Sequence, residues 1–142
     1  MATNTVTTSW KKNGILETDN PSRHKFTIYD ASEDHGDLVG FGPKALMLSS
    51  LAGCSGLDVD SLLRKMRAEP EDFKIVVEGE LTEEHPKHYH KVKVDYHFYG
   101  TGLKEDKIKK AVNLSVDRYC GVMEMFRQFA DISTEIHLHE NE

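Results

Sequence analysis

Residues 42–67 read GPKALMLSSLAGCSGLDVDSLLRKMR, and this stretch decides the fold. Pro43 suits the first turn of a helix because proline has no N–H group to lose there, and no further proline follows before Pro70. Up to Leu57, small or apolar residues occupy every side of such a helix. A helix that is apolar all round is a buried helix, so the stretch predicts a long buried helix with Cys54 at its centre.

The residues before this helix predict three antiparallel strands. Residues 5–11 are rich in Thr, Val and Trp, which favour strands. Residues 13–14 are Asn-Gly, a strong signal for a hairpin turn, and the alternation resumes over residues 15–18. Residues 24–29 alternate polar and apolar side chains, which predicts a third strand. Residues 30–42 are acidic and contain glycine, so we expect a loop there.

The residues after the helix predict more strands, with two helices between them. Alternating patterns predict strands over residues 73–81, 90–100 and 131–139, and the alternation of 90–100 indicates a sheet with one solvated face. The spacing of apolar residues predicts an amphipathic helix over 103–119 and a short helix over 120–129. Strands and helices in separate runs indicate an α+β fold with mostly antiparallel pairing.

The composition limits the class of protein. A chain of 142 residues favours one domain over 1–142, and 38% hydrophobic with 30% charged residues describes a soluble globular protein. The net charge of -6 argues against a nucleic-acid partner. No apolar run approaches the ~20 residues that span a bilayer, and the N-terminus lacks the features of a signal peptide. We therefore expect a cytoplasmic protein with no membrane partner.

The predicted buried helix also bears on assembly. One curved sheet and one other helix supply too little cover for a helix that is apolar on every side. A second copy of the chain would supply the missing cover. We therefore expect a homodimer whose interface lies close to residues 42–67.

The two cysteines are the candidate reactive groups. They lie 66 positions apart (120 minus 54), so they form neither a CxxC motif nor a zinc pattern. Asp58 shares the helix face of Cys54 and would oppose a thiolate there. Cys120 opens a short helix, whose free N–H groups favour a thiolate, so local chemistry makes Cys120 the better nucleophile. A structural core role is the alternative for either cysteine.

The histidines raise the question of a metal site. His85, His88 and His90 lie in and beside a turn, and His137 and His139 share one face of the last strand. Three histidine nitrogens can bind zinc or copper. However, turn histidines among Glu and Lys residues are usually only solvated. We therefore expect no metal site and no cofactor.

Two segments resemble the OsmC/Ohr family. Residues 43–67 resemble the family's helix with the first cysteine, and residues 118–136, RYCGVMEMFRQFADISTEI, resemble its second-cysteine segment. The resemblance covers nearly the whole chain and is nearest to the YhfA-like branch. It implies an OsmC-like α+β fold, with antiparallel sheets around a long buried central helix, an intertwined homodimer and two thiol sites at its interface.

The resemblance also implies an oxidoreductase of the oxidative-stress response, a thiol peroxidase that acts on organic hydroperoxides. Cys54 would be the peroxidatic thiolate that becomes a sulfenic acid. Cys120 would be the resolving thiol that closes a disulfide, which an external dithiol then reduces. These roles reverse the ranking of the two sulfurs by local chemistry.

One position departs from the family pattern. Ala45 stands where well-studied peroxidase members carry a glutamate that orients an arginine toward the thiol. Other groups would have to support the Cys54 thiolate, and the candidates are Arg23, His24, His35 and Lys44. Two alternatives to a peroxidase stay open. One is a non-catalytic protein that holds a small apolar or thiol-reactive ligand near Cys54, and the other is a redox sensor whose disulfide alters a partner interface.

Overall fold

The computed structural model describes residues 2–30 and 40–141. The chain forms two compact units, residues 1–47 and residues 48–142, and each is described by itself. Most of the loop predicted over residues 30–42 lies outside the described residues. The prediction of one domain over 1–142 stays a prediction.

The first unit contains a three-stranded antiparallel sheet in the order β1-β2-β3. Its strands are β1 (Thr8–Trp10), β2 (Ile15–Asp19) and β3 (Lys25–Tyr29). Lys12, Asn13 and Gly14 adopt positive φ angles of 71°, 52° and 72° at the turn between β1 and β2. Asparagine and glycine tolerate this left-handed conformation best, which explains why the Asn-Gly pair marks the hairpin. The predicted meander is confirmed, with a shorter first strand.

The second unit contains a three-stranded sheet in the order β4-β5-β6. Its strands are β4 (Asp72–Leu81), β5 (Tyr89–Gly100) and β6 (Asp131–Glu140). Strands β4 and β5 are antiparallel, as predicted, but β5 and β6 are parallel, so the expected antiparallel pairing is wrong for the last strand. The physical reason is the connection, because the helices between β5 and β6 form a crossover that carries the chain back to the start of β5.

Three α-helices accompany the sheets. They are α1 (Pro43–Lys65), α2 (Glu105–Leu114) and α3 (Gly121–Arg127). Helix α1 begins at Pro43, as predicted. The amphipathic helix predicted over residues 103–119 is divided, because its last turn is the π-helical segment Ser115–Tyr119. This segment leads directly into Cys120 and α3.

Helix α1 is less buried than its sequence predicts. Its buried residues follow one another at intervals of four and form a single stripe of Leu51, Ser55, Val59 and Leu63. Leu57 is 73% exposed and Met47 is 45% exposed. The single chain therefore does not bury α1 on every side, and the cover that a second copy was expected to supply stays a prediction. The apolar residues that prompted it lie partly on a face that the chain itself leaves uncovered.

The composition of α1 bears on the expectation that the chain has no membrane-spanning segment. By length and composition alone, Pro43–Lys65 is apolar enough to cross a membrane, although no such segment was expected. Core helices of soluble proteins pass the same test, so it is weak support for a membrane segment.

The core of the second unit lies on the inner face of its sheet. Strand β5 turns Val92, Val94, Tyr96 and Phe98 inward, and all four are buried. The alternate residues of β5 face outward, so the predicted solvated face is confirmed. The inner face shares one core cluster with residues of the helices, namely Leu51, Val59, Leu63, Ile108, Ala111, Val112, Cys120, Met123 and Phe126. This core brings the middle of α1 and the start of α3 into the same hydrophobic cluster.

Candidate functional site

The second unit brings the two cysteines together. Cys54 is half-buried in the middle of α1, and Cys120 is buried just before α3. Both are free thiols. Cys120 belongs to the core cluster and Cys54 packs against it, and Cys54 is near enough to raise the pKa of the Cys120 thiol. Residues that are far apart in sequence thus form one dithiol site within a single chain.

The π-helical segment positions Cys120. The backbone N–H of Cys120 donates to the carbonyl of Ser115 at 2.8 Å, which closes the wide π turn. Cys120 then caps α3, because its sulfur accepts a hydrogen bond from the backbone N–H of Met123 at 3.3 Å. π-Helical turns are rare and often occur at functional sites. The sequence gives little warning of this one, since the apolar spacing continues unbroken into residues 115–119.

Burial decides the protonation state of Cys120. Only 4% of this residue is exposed, and removal from water raises the pKa of its thiol to about 11. The hydrogen bond from Met123 lowers the pKa, but this effect is smaller, and the nearby Cys54 and Asp58 raise it further. Cys120 therefore stays protonated near neutral pH. The ranking by local chemistry, which made Cys120 the better nucleophile, is wrong because it ignored desolvation.

A chain of buried hydroxyl groups lies beside the cysteines. Ser115 Oγ donates to Asp58 Oδ2 at 3.0 Å and also lies 2.8 Å from Ser55 Oγ. Ser55 Oγ in turn lies 2.6 Å from the hydroxyl of Tyr96. Because the Ser115 proton is directed to Asp58, Ser55 donates to Ser115 and Tyr96 donates to Ser55. The hydrogen bonds of this hydroxyl chain thus all point one way, from the phenol of Tyr96 to the carboxylate of Asp58.

This hydroxyl chain is electrostatically tied to the dithiol. Burial raises the pKa of Tyr96, and the charges of Cys120 and Asp58 act in the same direction. Tyr96 therefore remains a neutral donor. Sequence reasoning placed Asp58 on the face of Cys54 but missed the partner that orients its carboxylate. That partner is Ser115, and no periodic pattern in the sequence points to its contact with Asp58.

The proposed supporting residues belong to the first unit. Arg23, His24 and Lys44 are all exposed there. His24 Nδ1 lies 3.0 Å from Ser22 Oγ, so its recorded partner is a neighbour in the same turn. His35, the other candidate, lies outside the described residues. The support of Cys54 by these groups stays a prediction.

Two open grooves in the described parts of the chain are not lined by the cysteines. One groove of about 540 Å³ runs over β4, β5 and β6, with Glu78, Lys91 and Asp131 in its lining. Another of about 530 Å³ lies in the first unit and is lined by Trp10, Ile28 and their neighbours. Neither groove contains Cys54 or Cys120. The dithiol is therefore packed among core residues and is not placed in either of these grooves.

The structure separates the histidines into two groups. His85 and His88 are exposed in the turn between β4 and β5, and His90 pairs with Glu80 at 3.3 Å. His137 and His139 lie on the same outer face of β6, as predicted, and His97 of β5 joins them there. The contribution of His97 could not be foreseen, because it depends on which strand lies beside β6.

The fold and the site together define a class: α+β proteins with a dithiol between a long helix and a short one. The chain belongs to the OsmC-like protein family, whose model matches residues 34–135. It is similar to Protein YhfA of Escherichia coli strain K12, with 31% identity over 91 residues that cover 64% of this chain and 68% of that protein.

Solved structures agree with this assignment. A hypothetical protein from Aquifex aeolicus VF5 is 26% identical, with both chains covered in full and a TM-score of 0.86. An OsmC-like protein from Mycoplasma pneumoniae gives 17% identity and a TM-score of 0.81, with 98% of this chain and 99% of that chain covered. The organic hydroperoxide resistance protein OhrB of Bacillus subtilis gives 17% identity and a TM-score of 0.67, with 95% and 98% covered. The resemblance to the OsmC/Ohr family and the mixed α+β fold are thus confirmed.

Proposed function

We propose that this protein is a thiol-dependent peroxidase that reduces organic hydroperoxides through Cys54 and Cys120. The observation that carries the proposal is that Cys120 lies in the core cluster against which Cys54 packs, within one chain. Membership of a family that includes hydroperoxide resistance proteins supports the same chemistry. A disulfide requires its two Cα atoms within about 7 Å, and two thiols in one cluster are candidates for that bond.

The proposed reaction has three balanced steps. The Cys54 thiolate attacks the peroxide oxygen, so that an S–O bond forms, the O–O bond breaks and the alcohol leaves after taking up a proton. Cys120 then attacks the sulfenic acid, an S–S bond forms, and the sulfenic oxygen leaves as water with the proton from Cys120. An external dithiol finally reduces the disulfide by thiol–disulfide exchange and becomes oxidised itself.

Cys120 itself supports the Cys54 thiolate in this proposal. Its raised pKa keeps a proton on the buried sulfur, so Cys120 would be the donor in a hydrogen bond to the Cys54 thiolate. A hydrogen bond to the charged form of a group favours that form. This contact compensates in part for Ala45, which cannot orient an arginine. Arg23, His24 and Lys44 stay candidates for further support.

The proposed active form is a cytoplasmic homodimer. Leu57 and Met47 leave an apolar face of α1 open in the single chain. Large exposed apolar side chains on a central helix are typical of a subunit interface. A second copy that covers this face would also restrict access of water to the dithiol on the same helix.

One observation favours a different function. Ala45 removes the charged pair that well-studied peroxidase members use, which fits a non-catalytic protein that holds an apolar or thiol-reactive ligand near Cys54. A redox sensor would use the same disulfide to alter a partner interface. Mass spectrometry of the reduced protein before and after cumene hydroperoxide separates these functions. A Cys54–Cys120 disulfide supports the dithiol chemistry, and turnover with a dithiol distinguishes a peroxidase from a sensor.

A further inference from the structure

The outer face of the second sheet carries a ladder of side chains that can bind metals. The parallel register places Asp95 of β5 opposite Glu135 of β6 and places His97 opposite His137. Tyr96 and the other even-numbered residues of β5 face the core, so these four side chains point away from it. The ladder is therefore on the opposite face of the sheet from the hydroxyl chain and is independent of the proposed peroxidase.

Three donor atoms of this ladder converge on one point. His137 Nε2 lies 2.8 Å from Asp95 Oδ1 and 3.9 Å from Glu135 Oε2. The three donor atoms all lie within 4.8 Å of one another. Ligand atoms around a tetrahedral zinc ion are roughly 3.3 Å apart, given metal–ligand distances of about 2.0–2.1 Å. The observed separations bracket that value, so small side-chain movements would complete the geometry.

Neighbouring rings hold the histidine in place. The ring of His97 stacks on that of His137 with centroids 4.5 Å apart. His97 Nδ1 also lies 3.0 Å from His139 Nε2, so a second pair of imidazole nitrogens lies next to the first site. These stacked rings limit the orientations that the His137 side chain can adopt.

The charges around the three donor atoms already favour a cation between them. Lys93 Nζ lies 3.7 Å from Asp95 Oδ1 and 3.4 Å from Glu135 Oε2. A flexible ammonium group thus lies where a bound cation would meet both carboxylates. An exposed lysine side chain can leave such a position at little cost.

We propose that Asp95, Glu135 and His137 bind a divalent transition-metal ion of the zinc class. One imidazole nitrogen and two carboxylate oxygens suit a metal ion that is intermediate between hard and soft. The remaining coordination positions face water. The bound ion would displace Lys93 and tie β6 to β5 on the solvated face. This proposal replaces the expectation that the histidines are only solvated.

Calorimetric titration with Zn²⁺ tests the site in the full-length chain carrying Cys54→Ser and Cys120→Ser, which removes the competing thiols. One ion should bind per chain. His137→Ala should weaken binding at least about tenfold, since metal affinity is sensitive to that degree even to outer-shell changes. Lys93→Met should tighten it, because the competing ammonium is gone. His90→Ala is the matched control, since His90 also pairs with a carboxylate but is not part of the three-residue cluster.

An NMR spectrum of the unaltered protein provides a test that does not depend on the variants. Paramagnetic Co²⁺ should broaden the amide signals of residues 95–97 and 135–137 before all others. Broadening confined to the turn with His85 and His88, or to the cysteines, would overturn the proposal. So would equal zinc affinity of the His137→Ala and His90→Ala variants.

Discussion

The sulfur of Cys120 accepts a hydrogen bond from the backbone N–H of Met123 at 3.3 Å, at the start of α3. A helix N-terminus with this contact normally lowers the pKa of a thiol. Here the pKa is raised to about 11, because burial outweighs the helix. The hydrogen bond from Met123 therefore does not make Cys120 a thiolate, and this distinguishes the two cysteines. Cys120 keeps its proton near neutral pH, and in the proposed mechanism Cys54 supplies the thiolate.

The first prediction concerns the alkylation of Cys120 as a function of pH. Only the thiolate reacts with iodoacetamide, and a raised pKa leaves little thiolate below pH 9. In a Cys54→Ser variant, the alkylation rate of Cys120 should still be rising above pH 9. Peptide mass spectrometry after timed alkylation measures it.

Asp58→Asn provides the matched variant for this experiment. Asparagine can still accept the hydrogen bond from Ser115, but it removes a charge that raises the pKa of Cys120. Alkylation of Cys120 should become faster at a given pH. A rate that levels off near pH 8 in the Cys54→Ser variant would show that burial does not control this thiol.

The second prediction concerns the buried hydroxyl chain. Tyr96→Phe removes the donor to Ser55, so the buried Ser55 hydroxyl loses one of its two hydroxyl partners. The free energy of unfolding should fall by about 1–2 kcal/mol. Urea denaturation measures this change. Tyr119→Phe is the control, because Tyr119 is exposed and its replacement should have an effect within about 0.5 kcal/mol. If the Tyr96→Phe and Tyr119→Phe variants were equally stable, the buried hydroxyl chain would contribute nothing to the free energy of unfolding.

The third prediction concerns assembly. Light scattering after size exclusion should give twice the chain mass of 16.1 kDa. Leu57→Lys places a charge on the exposed face of α1 and should produce monomers, because an unpaired charge at a buried interface is costly. Val76→Lys changes another exposed apolar residue, on β4, and should leave the dimer intact. A monomeric unaltered protein, or a dimeric Leu57→Lys variant, would refute the proposed interface.

The fold was largely predictable from the sequence where a local pattern fixes the structure. The alternation in β5, the Asn-Gly hairpin and the start of α1 at Pro43 each follow from one short stretch. The direction of β6 does not, since alternation is the same in parallel and antiparallel strands. Incomplete cover of α1 by the single chain was expected, but the particular residues that stay exposed, such as Leu57, were not. An apolar helix predicts that its faces are covered, but not whether the same chain covers them.

The candidate site was predictable only in part. Cys54 and Cys120 were identified from a family resemblance, and the structure places them together. Their relative pKa could not be derived locally, because desolvation depends on the packed core. The contacts of Ser55 with Tyr96 and Ser115 join three elements, and isolated serines carry no periodic signal. These tertiary contacts emerge only when the elements are packed.

The fourth prediction concerns the separate cysteine variants. Cys54→Ser should lose all consumption of organic hydroperoxide, because no thiolate remains to attack the O–O bond. Cys120→Ser should react once and then progress to the sulfinic acid at Cys54, since no thiol is present to close the disulfide. Peroxide consumption and intact-protein mass measure both outcomes. Full turnover by Cys54→Ser would assign the nucleophile to another residue.

The most direct measurement is the mass of the reduced protein after one equivalent of cumene hydroperoxide, followed by peptide mapping without reductant. We predict the loss of two hydrogen atoms and a single cross-linked peptide pair that joins Cys54 to Cys120. Two free thiols in the treated protein, in the presence of unconsumed peroxide, would contradict the proposed dithiol chemistry.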